Sequence, residues 1–216
     1  FVELDSVTPC SEALRLAADR SPARSSRVRR GVTIDRVQTG LDGWVASSLP
    51  AWSTELDLVA VYAYEDCAVE TFSTAQSLGL TSVYDLPISY WETGRALLLD
   101  EVERRPEWAG TLGGGLDDPP EKLNRKVREL ELADLVIVPS DFVHDSLPAW
   151  AADKARLTVP FGSPRSGHVR SPQVDPTRPL RVLFAGSMSQ RKGLADLLDA
   201  VKELGADVEL VVMGTP

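Results

Sequence analysis

From residue 57 onward, short apolar runs take turns with amphipathic stretches of helical spacing. DLVAVYAY at residues 57–64 is apolar without alternation, the pattern of a strand covered on both faces and central in its sheet. Residues 68–78 (AVETFSTAQSL) carry apolar positions at helical spacing, and Gly79 stands where such a helix would stop. TSVYD at 81–85 predicts the next strand, closed by Pro87, and residues 90–104 predict a long helix. The stretch from Pro106 to Pro120 holds Gly113-Gly114-Gly115 and paired prolines, a loop signal. Prolines at the mouth of 120–132, followed by good helix formers, predict a helix there. DLVIVP (134–139) reads as a buried strand, Ser140 as the cap of a short helix reaching 147, and RLTVP (156–160) as another strand. Before residue 57 the rhythm is weaker. It predicts a short strand at 1–5, a helix at 11–19, a strand at 31–37, a turn at Asp42-Gly43 and a short helix at 49–56.

Strands and helices alternating at this spacing imply an α/β fold, a parallel sheet with helices on both faces of Rossmann type. Residues 163–179 (SPRSGHVRSPQVDPTRP) break the rhythm with four prolines and no apolar periodicity, the composition of a linker. Beyond it a strand (180–186), a helix (192–204) and a strand (207–213) open a second α/β unit. The expected organisation is a Rossmann-like domain at 1–162, a linker at 163–179, and at 180–216 the first βαβ unit of a second domain. Two strands and one helix bury little surface, so that second domain is expected to continue past residue 216.

A net charge of −9 argues against a nucleic-acid surface, which is normally basic. The one concentrated basic run is RSSRVRR at 24–30, either a solvated loop or a contact for an anionic membrane surface or acceptor phosphate. Cys10 and Cys67 form neither a disulfide framework nor a metal-ligand spacing, which points to a reducing cytosol. No run approaches the ~18 apolar residues of a membrane span; the opening residues lead to no expectation of a signal peptide, and with Phe rather than Met in first place the true start is expected to lie upstream.

The densest chemistry lies at 180–193, LRVLFAGSMSQRKG. An apolar strand runs into Gly186, a polar loop follows, and Arg191-Lys192-Gly193 open a helix. Exposed amides at a helix N-terminus, the helix dipole and two cations would together seat a phosphate. Gly186 permits close backbone approach, and Ser187, Ser189 and Gln190 offer donors. The alternative is an ordinary turn with solvated side chains. The Gly113–115 triplet follows no strand and opens no helix, so it is no dinucleotide fingerprint. His144 and His168 have no partner at a telling spacing, and neither a hydrolytic triad nor a metal site can be assembled. Tyr62 and Tyr64, at the carboxyl end of a strand, and Ser89 and Tyr90, after the next, occupy the rim where open α/β sheets bind ligands. The alternative there is aromatics covering the sheet edge.

Four segments in order resemble a family 4 glycosyltransferase of the retaining GT-B fold. These are TFSTAQSLGLTSVYDLP (71–87), ELADLVIVPSDFV (131–143), TVPFG (158–162) and LFAGSMSQRKGLADLLDAV (183–201). The resemblance covers the end of an N-terminal acceptor-side domain and the start of a nucleotide-sugar domain. It implies hexosyl-type transfer from a nucleotide-diphospho-sugar to an acceptor with retention, in a cleft between two Rossmann-like domains. No metal or other cofactor is implied. On that analogy Gly186, Ser187, Arg191, Lys192 and Gly193 hold the donor diphosphate. Tyr62, Tyr64, Ser89 and Tyr90 line the rim, and Tyr90 and Glu92 are the candidates for a catalytic role. Two departures stand out: Ser187 where many members have arginine, and no histidine at 89–91. The family's E-x7-E pair would lie beyond residue 216, so this chain alone is expected to be inactive. The alternative function is a non-catalytic nucleotide-sugar-binding protein. A cytoplasmic enzyme, with peripheral membrane contact through the basic run, completes the expectation.

Overall fold

The structure, a computed structural model, describes residues 33–163 and 178–215. The expectations at 1–5 and 11–19, the basic run at 24–30, Cys10, His168 and nearly all of the 163–179 linker lie outside the described residues. The chain divides into two compact units, Phe1–Trp91 with Pro119–Pro160, and Glu92–Asp118 with Phe161–Pro216.

The first unit opens with helix α1 (Ile34–Glu55). Val32, Thr33, Ile34 and Val37 give 31–37 a strand-like composition, but Thr33 acts as an N-cap. Its hydroxyl accepts from the Arg36 amide at 3.3 Å, and Asp35 lies in the first turn, where the helix dipole favours an acid. The expected turn at Asp42-Gly43 is likewise helix interior, and the short helix at 49–56 is the end of α1, which runs through Pro50. Trp44 and Trp52 meet edge-on along α1, ring centroids 5.3 Å apart.

Next come β1 (Ala60–Tyr64), α2 (Val69–Ser77), β2 (Thr81–Asp85) and the start of α3 (Trp91–Arg104). The unit resumes with α4 (Pro120–Leu132), β3 (Leu135–Val138), α5 (Asp141–Asp145) and β4 (Ala155–Thr158). Helix α2 ends as its sequence predicts. Gly79 takes φ +70°, its N–H bonds to Gln76 O, and Leu80 N–H bonds to Ala75 O, a Schellman closure. The strands form one parallel sheet in the order β1-β2-β3-β4. Register places Tyr64 beside Asp85 and Asp85 beside Ile137, so the carboxyl ends line up. The face bearing Tyr84, Val136 and Val138 is fully buried with Phe72 and Leu130. Burying each such side chain contributes about 1.5–3 kcal/mol relative to leaving it in water. The opposite face is open at Tyr62 (55 % exposed) and Leu157 (50 %). β1 is therefore an edge strand covered on one face among the described residues, not the central, doubly covered strand its apolar run predicts.

In the second unit α3 continues from Glu92 and is followed by a 3-10 turn, Pro106–Thr111. Then come β5 (Leu180–Ala185), a 3-10 turn (Gln190–Lys192), α6 (Leu194–Leu204) and β6 (Val208–Met213). β5 and β6 are parallel, and Arg181 pairs across them with Glu209 at 2.9 Å. Residues 92–118, expected inside the first domain, thus group with the C-terminal βαβ unit. No helix among the described residues is long and apolar enough to cross a membrane.

Candidate functional site

The carboxyl ends of β5 and β6 are stitched backbone to backbone. Gly186 N–H donates to Met213 O and Met188 N–H to Thr215 O, each at 2.9 Å. A Cβ added to Gly214 would stand 1.7 Å from Gly186 O, so only glycine allows this crossing. The loop then bends through Ser187 and Ser189, whose hydroxyls are 3.1 Å apart.

Helix α6 begins at Leu194, two residues later than expected, because Gly193 takes a left-handed φ of +74° and separates it from the 3-10 turn holding Arg191 and Lys192. Its first amides are already engaged. Leu194 N–H reaches Ser189 O, and Ala195 N–H donates to the Gln190 side chain at 2.7 Å. The first two of the N-terminal amides that the sequence suggested as an anion seat are therefore taken.

Gln190 also departs from expectation. It is 4 % exposed, and its side-chain amide donates to Glu101 at 2.8 Å and Asp196 at 2.7 Å, while its backbone N–H donates to Thr111 Oγ1. It is a clamp between α3, its following turn and α6, not a free donor. Arg104 donates to Glu101 and Asp196, and Arg105 to Asp196 and Asp199, completing the clamp. Hydrogen bonds from Arg104, then Gln190, hold the Asp196 carboxyl far below the ordinary carboxylate range. Glu101 is lowered by Gln190 and then Arg104. Nothing in the chain from 92 to 118 signals this partnership, which joins residues about ninety positions apart.

Arg191 donates to Gly114 O at 2.9 Å and Leu112 O at 3.5 Å, so the Gly113–115 loop folds against the cationic turn. Lys192 is exposed and pairs with no carboxylate among the described residues; its side chain runs past Gly186. What remains open to an anion here is the Lys192 ammonium with Ser187 and Ser189, beside an Arg191 whose charge is undiminished by its carbonyl partners.

In the first unit the corresponding strand-to-helix junction is filled from within. Asp42, 2 % exposed, accepts the Glu70 and Thr71 amides of α2 at 2.9 and 2.8 Å. Glu129, fully buried, accepts the Asp66 and Ala68 amides at 2.9 and 3.0 Å. Two carboxylates thus occupy the place where an anion would dock.

At the rim, the Tyr62 phenol donates to Asp85, and that bond first of all pushes the phenol up to about 12. Tyr62 and Tyr64 are half-exposed and meet edge-on at 6.0 Å. Tyr90, expected on the rim and as a catalytic candidate, is instead fully buried in the core, where its ring packs beside Trp91 and its amide donates to Ser146. An apolar sheet face next to it drew the ring inward. Ser89 is half-buried, and Glu92 is exposed at the start of α3. Asp85, hidden in the sequence as a strand terminus, is the partner that sequence reasoning missed. Cys67 is pushed up to about 11 by burial and is no thiolate nucleophile. The His144 ring pairs with its sequence neighbour Asp145 at 2.9 Å.

Comparisons with family models, with curated protein sequences and with solved structures find no match to this chain.

Proposed function

We propose that this chain belongs to a retaining glycosyltransferase of the GT-B type, which moves a sugar from a nucleotide-diphospho-sugar to an acceptor. The second unit takes the donor diphosphate at Ser187, Ser189, Arg191 and Lys192, while Gly186 and Gly193, whose own amides are bonded to Met213 O and Gln190 O, shape the turn. The first unit takes the acceptor near Tyr62, Tyr64 and Ser89. One contrast carries the reading. The helix start in the first unit is filled by Asp42 and Glu129, whereas at the start of α6 the Ala195 amide is taken by a neutral glutamine, with Arg191 beside it and a Lys192 that pairs with no carboxylate among the described residues. The diphosphate leaving group gains negative charge as the glycosidic bond breaks, and fixed cations stabilise it most at that moment. Lys192 supplies the mobile charge, while Arg191, held by Leu112 O and Gly114 O, supplies a positioned one.

The two taken amides of α6 and the serine at 187 favour a second reading, a nucleotide-sugar binder without turnover. Calorimetric titration with UDP- and GDP-sugars, beside a transfer assay on the full-length protein, separates the two. Binding with product supports the enzyme, and binding without product supports the second reading. No binding to any nucleoside diphosphate or its sugars overturns both.

A further inference from the structure

One carboxylate of the first unit is buried on the open face of the sheet without a counter-charge beside it. Asp85 ends β2 there and is 7 % exposed. Among the described residues the Tyr62 phenol is its only side-chain partner. That phenol satisfies one carboxylate oxygen, and the other is not sealed from solvent. Lys126, buried at the same end of the sheet, is committed to Glu65 at 2.8 Å and Asp66 at 3.0 Å. A carboxylate withdrawn this far from water is costly unless a positive group faces it.

The surroundings decide what kind of cation fits. Register sets Tyr64 and Ile137 on either side of Asp85, and Leu157 beyond Ile137, in one row across the carboxyl ends of the strands. Tyr62, two residues before Tyr64, shares its face. The two tyrosine rings are half-exposed and stand at 87° to each other with centroids 6.0 Å apart. They form two walls of a corner, tied to Asp85 through the Tyr62 phenol. Ring faces carry partial negative charge, and a cation in that corner lies within the ~6 Å of a centroid over which the attraction acts. A bare metal ion is matched instead by several oxygen ligands. Among the described residues no group of three or more histidine, cysteine or carboxylate side chains is suited to one. A primary ammonium is strongly hydrated, and ring faces beside Ile137 and Leu157 return few of its hydrogen bonds. A methylated ammonium gives up little water and sets its methyl groups against rings and aliphatic side chains.

We propose that Tyr62, Tyr64 and Asp85 form a seat for a methylated ammonium group of the choline type. The rings hold the methyl groups, and Asp85, oriented by the Tyr62 phenol, supplies the opposite charge. The seat lies at the carboxyl ends of the strands, where open sheets bind ligands, on the rim assigned above to the acceptor. That the bound molecule is the acceptor rests on the transferase reading. The seat itself does not, because it is built wholly within the first unit.

Saturation-transfer NMR titration of the full-length protein with choline tests the seat, with neohexanol, the uncharged carbon isostere, as the comparison. Choline should bind saturably, and neohexanol at least ~10-fold more weakly. Asp85→Asn should weaken choline binding at least ~10-fold, and Tyr64→Leu at least ~3-fold. Co-sedimentation with phosphatidylcholine vesicles, released by free choline, would place the group on a lipid. Choline binding without sedimentation would place it on a soluble molecule, and either result satisfies the assignment. Choline binding without sugar transfer keeps the seat and rejects only its role for the acceptor. No saturable choline binding, or equal affinity for neohexanol, overturns the seat, and these two readings need no variant. An Asp85→Asn variant that is folded by circular dichroism and binds choline like the parent overturns it as well.

Discussion

Asp42 caps a helix to which it does not belong. The residue preceding α2, Ala68, has no side chain able to cap, so the Glu70 and Thr71 amides reach Asp42 on α1 instead. Replacing Asp42 with alanine removes a charged acceptor from two amides, one of them buried. A lost cap costs about 1 kcal/mol, and an unsatisfied buried amide about 1–3 kcal/mol. Together with the loss of the α1–α2 tie, Asp42→Ala should cost about 2–4 kcal/mol. Asp42→Asn keeps one good acceptor and should cost about half that. Urea unfolding followed by far-ultraviolet circular dichroism reads the difference. With a slope of about 2 kcal/mol per molar, the alanine variant should lower the midpoint by ~1–2 M. A midpoint within ~0.3 M of the parent at unchanged slope would refute the capping argument.

Three further outcomes follow from single contacts. Tyr84→Phe removes a buried hydroxyl that has no partner among the described residues, so stability should hold or rise by ~1 kcal/mol; a loss of more than ~1 kcal/mol in the same urea assay would reveal a bond the geometry lacks. Gly214→Ala forces a Cβ against Gly186 O and should lower the thermal midpoint by at least ~5 °C, whereas an unchanged melt would mean the crossing of β5 and β6 is not as close as described. Asp85→Asn removes the charge that holds the Tyr62 phenol, so its ultraviolet ionisation should move from about 12 toward the ordinary value near 10; no movement would exclude the Tyr62–Asp85 bond.

Local signals marked most elements from residue 57 on. The Gly79 stop, the Pro120 start, the Ser140 cap and the strand at Thr81–Asp85 each rest on neighbours in sequence, and the structure places them as expected. Residues 31–56 misled because β-branched residues precede and open α1 and an Asp-Gly pair lies inside it. The Thr33 cap and the inward turn of Asp42 toward α2 settle the helix, and the second of these is a contact across 28 positions. The cationic turn was legible as a motif, but not its backing. Gln190 looks like a solvent-facing donor until Glu101, Thr111 and Asp196 close around it. Tyr90 and Asp85 changed roles for the same reason: which side of a sheet is covered depends on helices far along the chain, and an apolar run does not record it.

Titration of the full-length protein with nucleoside diphosphates, with and without Lys192→Ala, addresses the donor seat most directly. The account predicts that UDP or GDP binds well above the bare nucleoside, and that Lys192→Ala weakens that binding by roughly 5- to 150-fold, the range of a charge-assisted contact worth about 1–3 kcal/mol. Equal affinity for nucleoside and nucleoside diphosphate, or a diphosphate affinity indifferent to Lys192, would contradict it.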